Sequence, residues 1–172
     1  CVDCFKTFEF CKKINVKALP FGVNTDVFSP TKPIADRDAV LVYFKYRSPQ
    51  DLNFITDFLK SKQIENYKIF SYHQRYSENE YLNFLKRAKF GIWVGAHESQ
   101  GFALQEALAC DVPLLVWNIK TMRDEYGSNY SPYPASTIPY WSSSCGEFFY
   151  DADKLESVFK MFNDRLEFYE PR

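Results

Sequence analysis

The sequence predicts an α/β domain in which a doubly wound, mostly parallel sheet is covered by helices on both faces. Short apolar runs rich in β-branched and aromatic residues begin at Ala39, Tyr67, Phe90 and Val112, and such runs are typical of buried parallel strands. Segments with helical periodicity or helix-capping residues lie between these runs, and the connections are short. Strands that alternate with helices through short connections favour a parallel sheet of this kind.

The first two strand and helix units carry local signals for their boundaries. The run AVLVYF from Ala39 is followed by Pro49, and proline is favoured at the first position of a helix. The run YKIFSY is followed by Ser77, whose hydroxyl can cap a helix while the side chain of Glu80 returns the bond. Apolar residues give the two helices their buried faces, namely Leu52, Ile55 and Leu59 in the first, and Leu82 and Leu85 in the second.

The rest of the chain continues this pattern with one irregular stretch. The run FGIWVG from Phe90 precedes a helix from about Gly101 to Cys110 and then the strand VPLLVW. Residues 118–147 are interrupted by prolines, serines and Gly146, and they predict loops over a sheet edge, with ASTIPY and EFFY as possible short strands. The last helix is amphipathic, and its predicted buried face is Leu155, Val158, Phe159, Phe162, Leu166 and Tyr169.

Residues 1–30 differ from the alternating pattern. Apolar residues among lysines and acids up to Lys13 indicate an amphipathic helix, and the segment VKALPFGVNTDVFSP suits a linker or hinge. We therefore divide the chain into an N-terminal helix with an interdomain linker, residues 1–30, and a domain, residues 31–172. Because the chain begins without methionine and ends straight after a helical pattern, we expect a fragment of a longer protein.

Length, charge and cysteine content limit the possible functions. A chain of 172 residues can bury about two-thirds of its unfolded surface and form its own core. The net charge is −1, which gives no reason to expect nucleic acid as a partner. Five cysteines without a signal sequence or a long apolar run predict reduced thiols in a cytoplasmic protein. Cys1 and Cys4 have the spacing of redox or zinc sites, but no second pair follows, so a structural role is favoured.

The segment HESQGFALQEALACDVPLLVW, residues 97–117, places two carboxylates around Gly101 at a junction between a strand and a helix. In a doubly wound sheet, ligands bind beyond the carboxyl ends of the strands, where the N-termini of helices offer unpaired amides. Gly101 allows close approach of a ligand, and the amides of Phe102 and Ala103 can donate to a diphosphate or a sugar hydroxyl.

The two carboxylates in this segment suggest binding of an extended ligand. Glu106 lies about one and a half turns into the helix, where it can accept hydrogen bonds from two ribose hydroxyls. Glu98 precedes the helix, where it can hold sugar hydroxyls or stabilise positive charge at an anomeric carbon. The spacing alone is explained equally well by acids that interact favourably with the helix dipole.

The same segment resembles the E-x7-E signature of retaining glycosyltransferases with the two-domain GT-B architecture, in particular the large glycosyltransferase 4 family. The resemblance includes the positions Glu98, Gly101, Glu106, Ala107, Ala109, Cys110, Val112 and Pro113. The segment LPFGVNTDVFSP is similar to the linker that enters the carboxyl-terminal, donor-binding domain of these enzymes, and CGEFFYDADKLESVF is similar to the approach to its closing helix. The resemblance spans nearly the whole chain and implies the Rossmann-like C-terminal half of a GT-B enzyme.

This resemblance implies transfer of a sugar from a nucleotide diphosphate sugar, such as a UDP- or GDP-sugar, with retention of configuration. The acceptor would be a sugar, a lipid or a protein, and an N-terminal GT-B domain would be the partner that binds it. Gly101, Phe102 and Ala103 would contact the donor phosphate or sugar, Glu106 would bind ribose, and Glu98 would act at the transferred sugar as the catalytic residue. No cofactor is implied, and the resemblance does not require a metal.

The segment after the first strand departs from the family pattern. Family members usually carry an arginine and, a few residues later, a lysine that bind the diphosphate, whereas this chain reads YFKYRSPQD. Lys45 and Arg47 supply two candidate cations, but Gln50 or Asp51 occupies the later lysine position. This change motivates an alternative function, a non-catalytic nucleotide-sugar-binding or scaffold module with a degenerate GT-B site.

The segment SYHQRY replaces a glycine-rich turn that is common in the family. His73 is a minor candidate to bind the base or a phosphate, since a lone histidine is more often structural. Tyr72 has a ring that can stack on the base. A phosphoacceptor receiver domain is excluded, because that domain needs paired acids after the first strand and an aspartate after the third.

Overall fold

The computed structural model describes residues 5–6, 8–17 and 19–172. In this part of the chain, five strands and four α-helices follow one another in the predicted order. They are β1 (Ala39–Lys45), α1 (Pro49–Ser61), β2 (Tyr67–Ser71), α2 (Glu78–Leu85), β3 (Ala88–Gly95), α3 (Phe102–Ala109), β4 (Leu114–Trp117), β5 (Gly146–Phe149) and α4 (Leu155–Asp164). Short 3-10 helices span Glu9–Lys13, Ile34–Asp36, Met122–Asp124, Ser143–Cys145, Ala152–Lys154 and Leu166–Phe168.

The five strands form one parallel sheet in the order β2-β1-β3-β4-β5. From β1 the chain first runs outward to β2, and it then crosses to β3 and continues in the other direction. The strand order therefore reverses between β1 and β3, whose last residues Lys45 and Gly95 are paired. In sheets of this type, ligands bind in the crevice at the carboxyl ends of the two strands where the order reverses. The predicted doubly wound α/β fold is confirmed.

Helices cover both faces of the sheet, and the alternation of β1 divides its side chains between two cores. Val40 and Val42 pack in one core with α1 and α4, whereas Leu41 and Tyr43 pack in the other with α2 and α3. Trp93 of β3 is fully buried and stacks on Tyr43 with ring centroids 4.1 Å apart. Among the described residues, no helix combines the length and the apolar character needed to cross a membrane.

The predicted helix starts are confirmed, with one difference in detail. Pro49 is the first residue of α1, and α2 begins after Ser77, whose hydroxyl accepts from the amide of Glu80 at 3.0 Å. The expected return bond from the Glu80 side chain is wrong, because that carboxylate pairs instead with Lys68 on the adjacent strand β2. An ion pair with a neighbouring strand thus replaces half of the predicted capping motif.

The irregular stretch before β5 contains one of the two predicted strands. The first three residues of EFFY belong to β5, which starts at Gly146 with φ 131°, and a Cβ atom there would lie 2.1 Å from the carbonyl oxygen of Leu114. ASTIPY is not a strand, so that prediction is wrong. Its backbone is bound by side chains instead, since Asn118 Oδ1 accepts from the amide of Thr137 at 2.9 Å and the Ser136 hydroxyl accepts from the amide of Ile138 at 3.1 Å.

The N-terminal segment is only partly described. Phe5 and Lys6 are α-helical and Glu9–Lys13 is a 3-10 helix, so the predicted N-terminal helix is borne out in part, and Cys1, Val2 and Cys4 lie outside the described residues. The described cysteines Cys11, Cys110 and Cys145 are buried free thiols. Phe28, in the predicted linker, packs against the core of α2 and α3. The division of the chain at residue 30 stays a prediction.

Candidate functional site

A cavity of about 380 Å³ opens beyond the carboxyl ends of β1 and β3, at the point where the strand order reverses. Six of the eight site residues that the sequence predicts line this cavity, which we call the crevice cavity. They are Lys45, Glu98, Gly101, Phe102, Ala103 and Glu106. The structure therefore brings together the end of β1, the loop after β3 and the first turns of α3.

The N-terminus of α3 forms one wall of the crevice cavity. Gly101 precedes the helix in the left-handed conformation, with φ 71° and ψ 49°, which favours glycine because other residues are strained there. No side chain caps the helix, and the first bond to Gly101 is donated by the amide of Gln105 at 2.8 Å. The amides of Phe102 and Ala103 are consequently unpaired donors at the cavity wall, where the helix dipole also favours an anion.

Lys45 and Glu98 form an ion pair across the base of the crevice cavity. Lys45 Nζ donates to Glu98 Oε1 at 3.0 Å and to Oε2 at 2.9 Å, and only 16% and 8% of the two side chains are exposed. Burial raises the pKa of Glu98, while the charge and the hydrogen bonds of Lys45 act in the opposite direction. Because a lysine ammonium has three donors, one N–H of Lys45 remains for a ligand.

Glu106 is half-buried on the second turn of α3, and its carboxyl group makes no hydrogen bond to the residues that the structure describes. Burial, together with the charge of Glu78 at the start of α2, raises the pKa of Glu106 from 4.5 to about 7. Both protonation states are thus populated near neutral pH. A carboxyl group that is open to the cavity and unpaired can accept hydrogen bonds from hydroxyl groups of a ligand.

Tyrosines form the opposite wall of the crevice cavity. Tyr43, Tyr76 and Tyr81 line it, and Tyr81 donates its hydroxyl to the carbonyl of Ala103 at 2.8 Å, which fixes α2 against α3. Tyr72 also lines the cavity, with its ring 4.8 Å from Lys45 Nζ. Of these rings, the sequence pointed only to Tyr72. Tyr43 carried a usable signal, because it lies two residues before Lys45 on one strand and so shares its face.

Arg47 and His73 do not line the crevice cavity. Arg47 lies at a separate cavity of about 480 Å³, where its Nε donates to Asp51 at 2.9 Å and its guanidinium lies 4.6 Å from the ring of Trp117. Tyr46 explains this divergence from Lys45, because its φ of 53° turns the chain at the end of β1. His73 is exposed, and its ring lies edge-on to Tyr46 with centroids 5.0 Å apart.

Asn118 holds the loop that supports Glu98, and its place directly after β4 is its one signal in the sequence. Its Oδ1 accepts from the amide of Thr137 at 2.9 Å, the hydroxyl of Ser136 at 3.1 Å and the amide of Ile119 at 2.8 Å. Ser136 in turn accepts, through its carbonyl, from the amide of Glu98 at 3.0 Å. The position of Glu98 therefore depends on a buried side chain from the neighbouring strand.

Of three comparisons with known proteins, one finds similarity, and it is to solved structures. A scan against protein-family models finds no match, and a search of curated proteins finds none. Among solved structures, the chain is similar to the C-terminal domain of a glycosyl transferase group 1 family protein (LpcC) from Francisella tularensis, with a TM-score of 0.49 and 12% sequence identity. The similarity covers 88% of this chain and 93% of that chain. A similarity of this degree does not determine what a chain binds, so function has to be inferred from the site.

Proposed function

We propose that this domain binds the nucleotide diphosphate sugar donor of a retaining glycosyltransferase. One observation carries the proposal. The segment with the E-x7-E pattern folds as a strand end, a left-handed glycine and a helix N-terminus, and it places Glu98, unpaired amides and Glu106 on one cavity. That cavity lies where doubly wound sheets bind ligands. A favourable interaction of the two acids with the helix dipole does not by itself explain why Glu106 is half-buried without a hydrogen-bond partner among the described residues.

The lining suggests how such a donor lies in the crevice cavity. The diphosphate accepts from the amides of Phe102 and Ala103 and from the third N–H of Lys45. Glu106, further along α3, accepts from the ribose hydroxyls. Tyr72, the exposed ring of the tyrosine wall, then offers a face to the base, and Glu98 is left beside the sugar to be transferred. We assign neither the identity of the base nor that of the sugar.

The proposed reaction exchanges one bond at the anomeric carbon for another on the same face. The acceptor oxygen bonds to the anomeric carbon as the bond from that carbon to the diphosphate oxygen breaks, and the acceptor proton leaves with the diphosphate. The amides and Lys45 stabilise the departing negative charge, and Glu98 stabilises positive charge at the carbon. No protein nucleophile and no metal takes part in this scheme, and an N-terminal domain completes the acceptor site.

A second candidate function is a nucleotide-sugar-binding or scaffold module without turnover. The observation that favours it is the state of the two predicted phosphate-binding cations. Lys45 is paired with Glu98, and Arg47 is paired with Asp51 at a different cavity. Charge stabilisation of a leaving diphosphate would then depend on one remaining lysine N–H and on backbone amides.

Calorimetric titration of the chain with UDP, GDP and ADP tests donor binding. At least one nucleotide should bind, and Glu106→Ala should weaken that binding by about 1–3 kcal/mol, because hydrogen bonds to a charged group are lost. The matched control is Glu167→Ala, an exposed acid on the 3-10 helix that follows α4. Equal affinities of the wild type and Glu106→Ala would remove the ribose role from Glu106.

Turnover separates the two candidate functions and requires the domain together with an acceptor-binding domain. With a panel of UDP- and GDP-sugars, Glu98→Gln should lower the transfer rate more than it lowers nucleotide affinity. The reverse order would argue against a role of Glu98 at the sugar. If the protein binds nucleotide but neither hydrolyses nor transfers the sugar of any donor, the proposed enzyme function is refuted and the non-catalytic scaffold module is supported.

A further inference from the structure

A second cavity, of about 330 Å³, lies on the other side of Glu98. We call it the aromatic cavity, because rings make up much of its lining, including Phe5, Phe8, Tyr130 and Tyr133. Glu98 and Ser99 line both this cavity and the crevice cavity. The proposed position of the transferred sugar therefore lies between two cavities of different chemistry.

Three consecutive polar residues, His97, Glu98 and Ser99, line part of the aromatic cavity. His97 lines the cavity, and its Nδ1 lies 3.0 Å from Glu125 Oε2, with both side chains largely buried. Neither of these two atoms has a hydrogen-bond partner among the described residues, so His97 keeps hydrogen-bonding capacity for a ligand. Much of the remaining lining is apolar or aromatic, and Phe8 and Tyr133 pack there with ring centroids 5.3 Å apart.

The mixture of polar and aromatic residues in the lining of the aromatic cavity favours a ligand that is polar at one end and apolar elsewhere. A hydroxyl-rich molecule such as a free sugar would lose hydrogen bonds to water along an apolar wall, at a cost for every unpaired group. A molecule with an apolar body and a hydroxyl at one end would bury its body against the rings and keep the hydroxyl near His97 and Glu98. A volume of about 330 Å³ is within the range of small-molecule sites.

We propose that the aromatic cavity binds the apolar part of the sugar acceptor, a molecule with an aromatic or isoprenoid body whose hydroxyl points at Glu98. This inference rests on the proposed function, because it takes Glu98 as the position of the transferred sugar. The N-terminal domain then completes an acceptor site of which this domain supplies the apolar half. The apolar body of the acceptor lies on one side of Glu98 and the donor on the other, and the acceptor hydroxyl extends past Glu98 to the face of the anomeric carbon that carries the diphosphate.

The test measures binding of three probes to the chain by calorimetry and by amide chemical shifts. The probes are 1-naphthol for an aromatic body, geraniol for an isoprenoid body and glucose for a hydroxyl-rich acceptor. We expect at least one of the first two to bind, to shift the amides of His97 and Ala135, and to bind together with the nucleotide. Glucose should bind at least tenfold more weakly.

Ala135→Leu fills the aromatic cavity, because Ala135 lines it and is half-buried. This variant should weaken the apolar probe at least tenfold and leave nucleotide affinity within twofold, which also reports that the domain is folded. Ala35→Leu is the matched control, since Ala35 is exposed on the 3-10 helix Ile34–Asp36 and lines neither cavity.

The outcomes distinguish this inference from the proposed function. Binding of nucleotide but of neither apolar probe, equal binding of glucose, or equal effects of the two leucine variants would overturn the aromatic cavity as an acceptor site. Competition between the apolar probe and the nucleotide would overturn it as well. If an apolar probe binds and no nucleotide does, the donor-binding function fails, and the acceptor role fails with it.

Discussion

Replacement of Glu106 by glutamine should stabilise the domain, and it should do so only at the higher pH values. The pKa of Glu106 is raised from 4.5 to about 7 by burial and by the charge of Glu78. In the unfolded chain the same carboxyl group titrates near its ordinary value, so it loses its proton at a lower pH than in the folded domain. Rising pH therefore favours the unfolded state between about pH 4.5 and 7.

The size of the effect follows from the shift. A change of about 2.5 in pKa corresponds to roughly 3 kcal/mol of lost stability once pH exceeds the folded value. Glu106 is only half-buried, and solvent screening reduces the expected cost to about 1–2 kcal/mol. Glutamine keeps the shape and removes the charge. Glu106→Gln should thus raise the free energy of unfolding by about 1–2 kcal/mol at pH 8, with little change at pH 5.

Urea unfolding at pH 5 and pH 8 measures this difference directly. Glu167→Gln, an exposed substitution of the same kind, should stay within about 0.5 kcal/mol of the wild type at both pH values. The reasoning is refuted if Glu106→Gln has the same effect at both pH values or destabilises the domain at pH 8. A stabilising substitution that also weakens nucleotide binding would show that Glu106 serves ligand binding at a cost to the fold.

The remaining predictions concern the elements around the crevice cavity. Gly101→Ala should lose about 1–2 kcal/mol of stability, because alanine is strained in the left-handed conformation and its Cβ would lie 3.2 Å from a proline ring. Gly127→Ala, with φ 76° and open space around it, should lose less in the same urea titration. Asn118→Ala leaves three donors without their acceptor, and it should cost about 2–3 kcal/mol and shift the amide resonance of Glu98. Lys45→Met leaves the Glu98 carboxylate buried without a cation, so unfolding experiments should show a loss of about 2–3 kcal/mol at pH 8 and a smaller loss at pH 4.

The central part of the fold was predictable because its signals are local. β1 and β3 are buried on both faces, so they read as continuous apolar runs. Pro49 and Ser77 mark helix starts through their own backbone and side-chain chemistry. The chain between β4 and β5 lacked such signals. Its conformation depends on hydrogen bonds that Asn118 accepts from residues 18 and 19 positions further along, and no local pattern contains them.

The site was predictable to the same extent and for the same reason. The E-x7-E segment is contiguous, and its place after a strand follows from the alternation of elements. The pairing of Lys45 with Glu98 joins residues 53 positions apart, so the sequence did not show that the two candidate groups neutralise each other. The different direction of Arg47 results from the positive φ of Tyr46, and tyrosine gives no sequence signal for that conformation.

The charges in the crevice cavity bear on how a diphosphate can be bound there. Glu78, Glu98 and Glu106 line it together with a single lysine, an arrangement that at first opposes an anionic ligand. Two features reduce this opposition: Lys45 neutralises Glu98, and the raised pKa of Glu106 lowers its average charge near pH 7. The N-terminus of α3 then remains as a source of positive potential, because among the described residues no side chain caps it and its first turn carries no acid. Because backbone amides can bind phosphate without a further lysine or arginine, the presence of Gln50 and Asp51 rather than a second cation does not argue against the proposed donor binding.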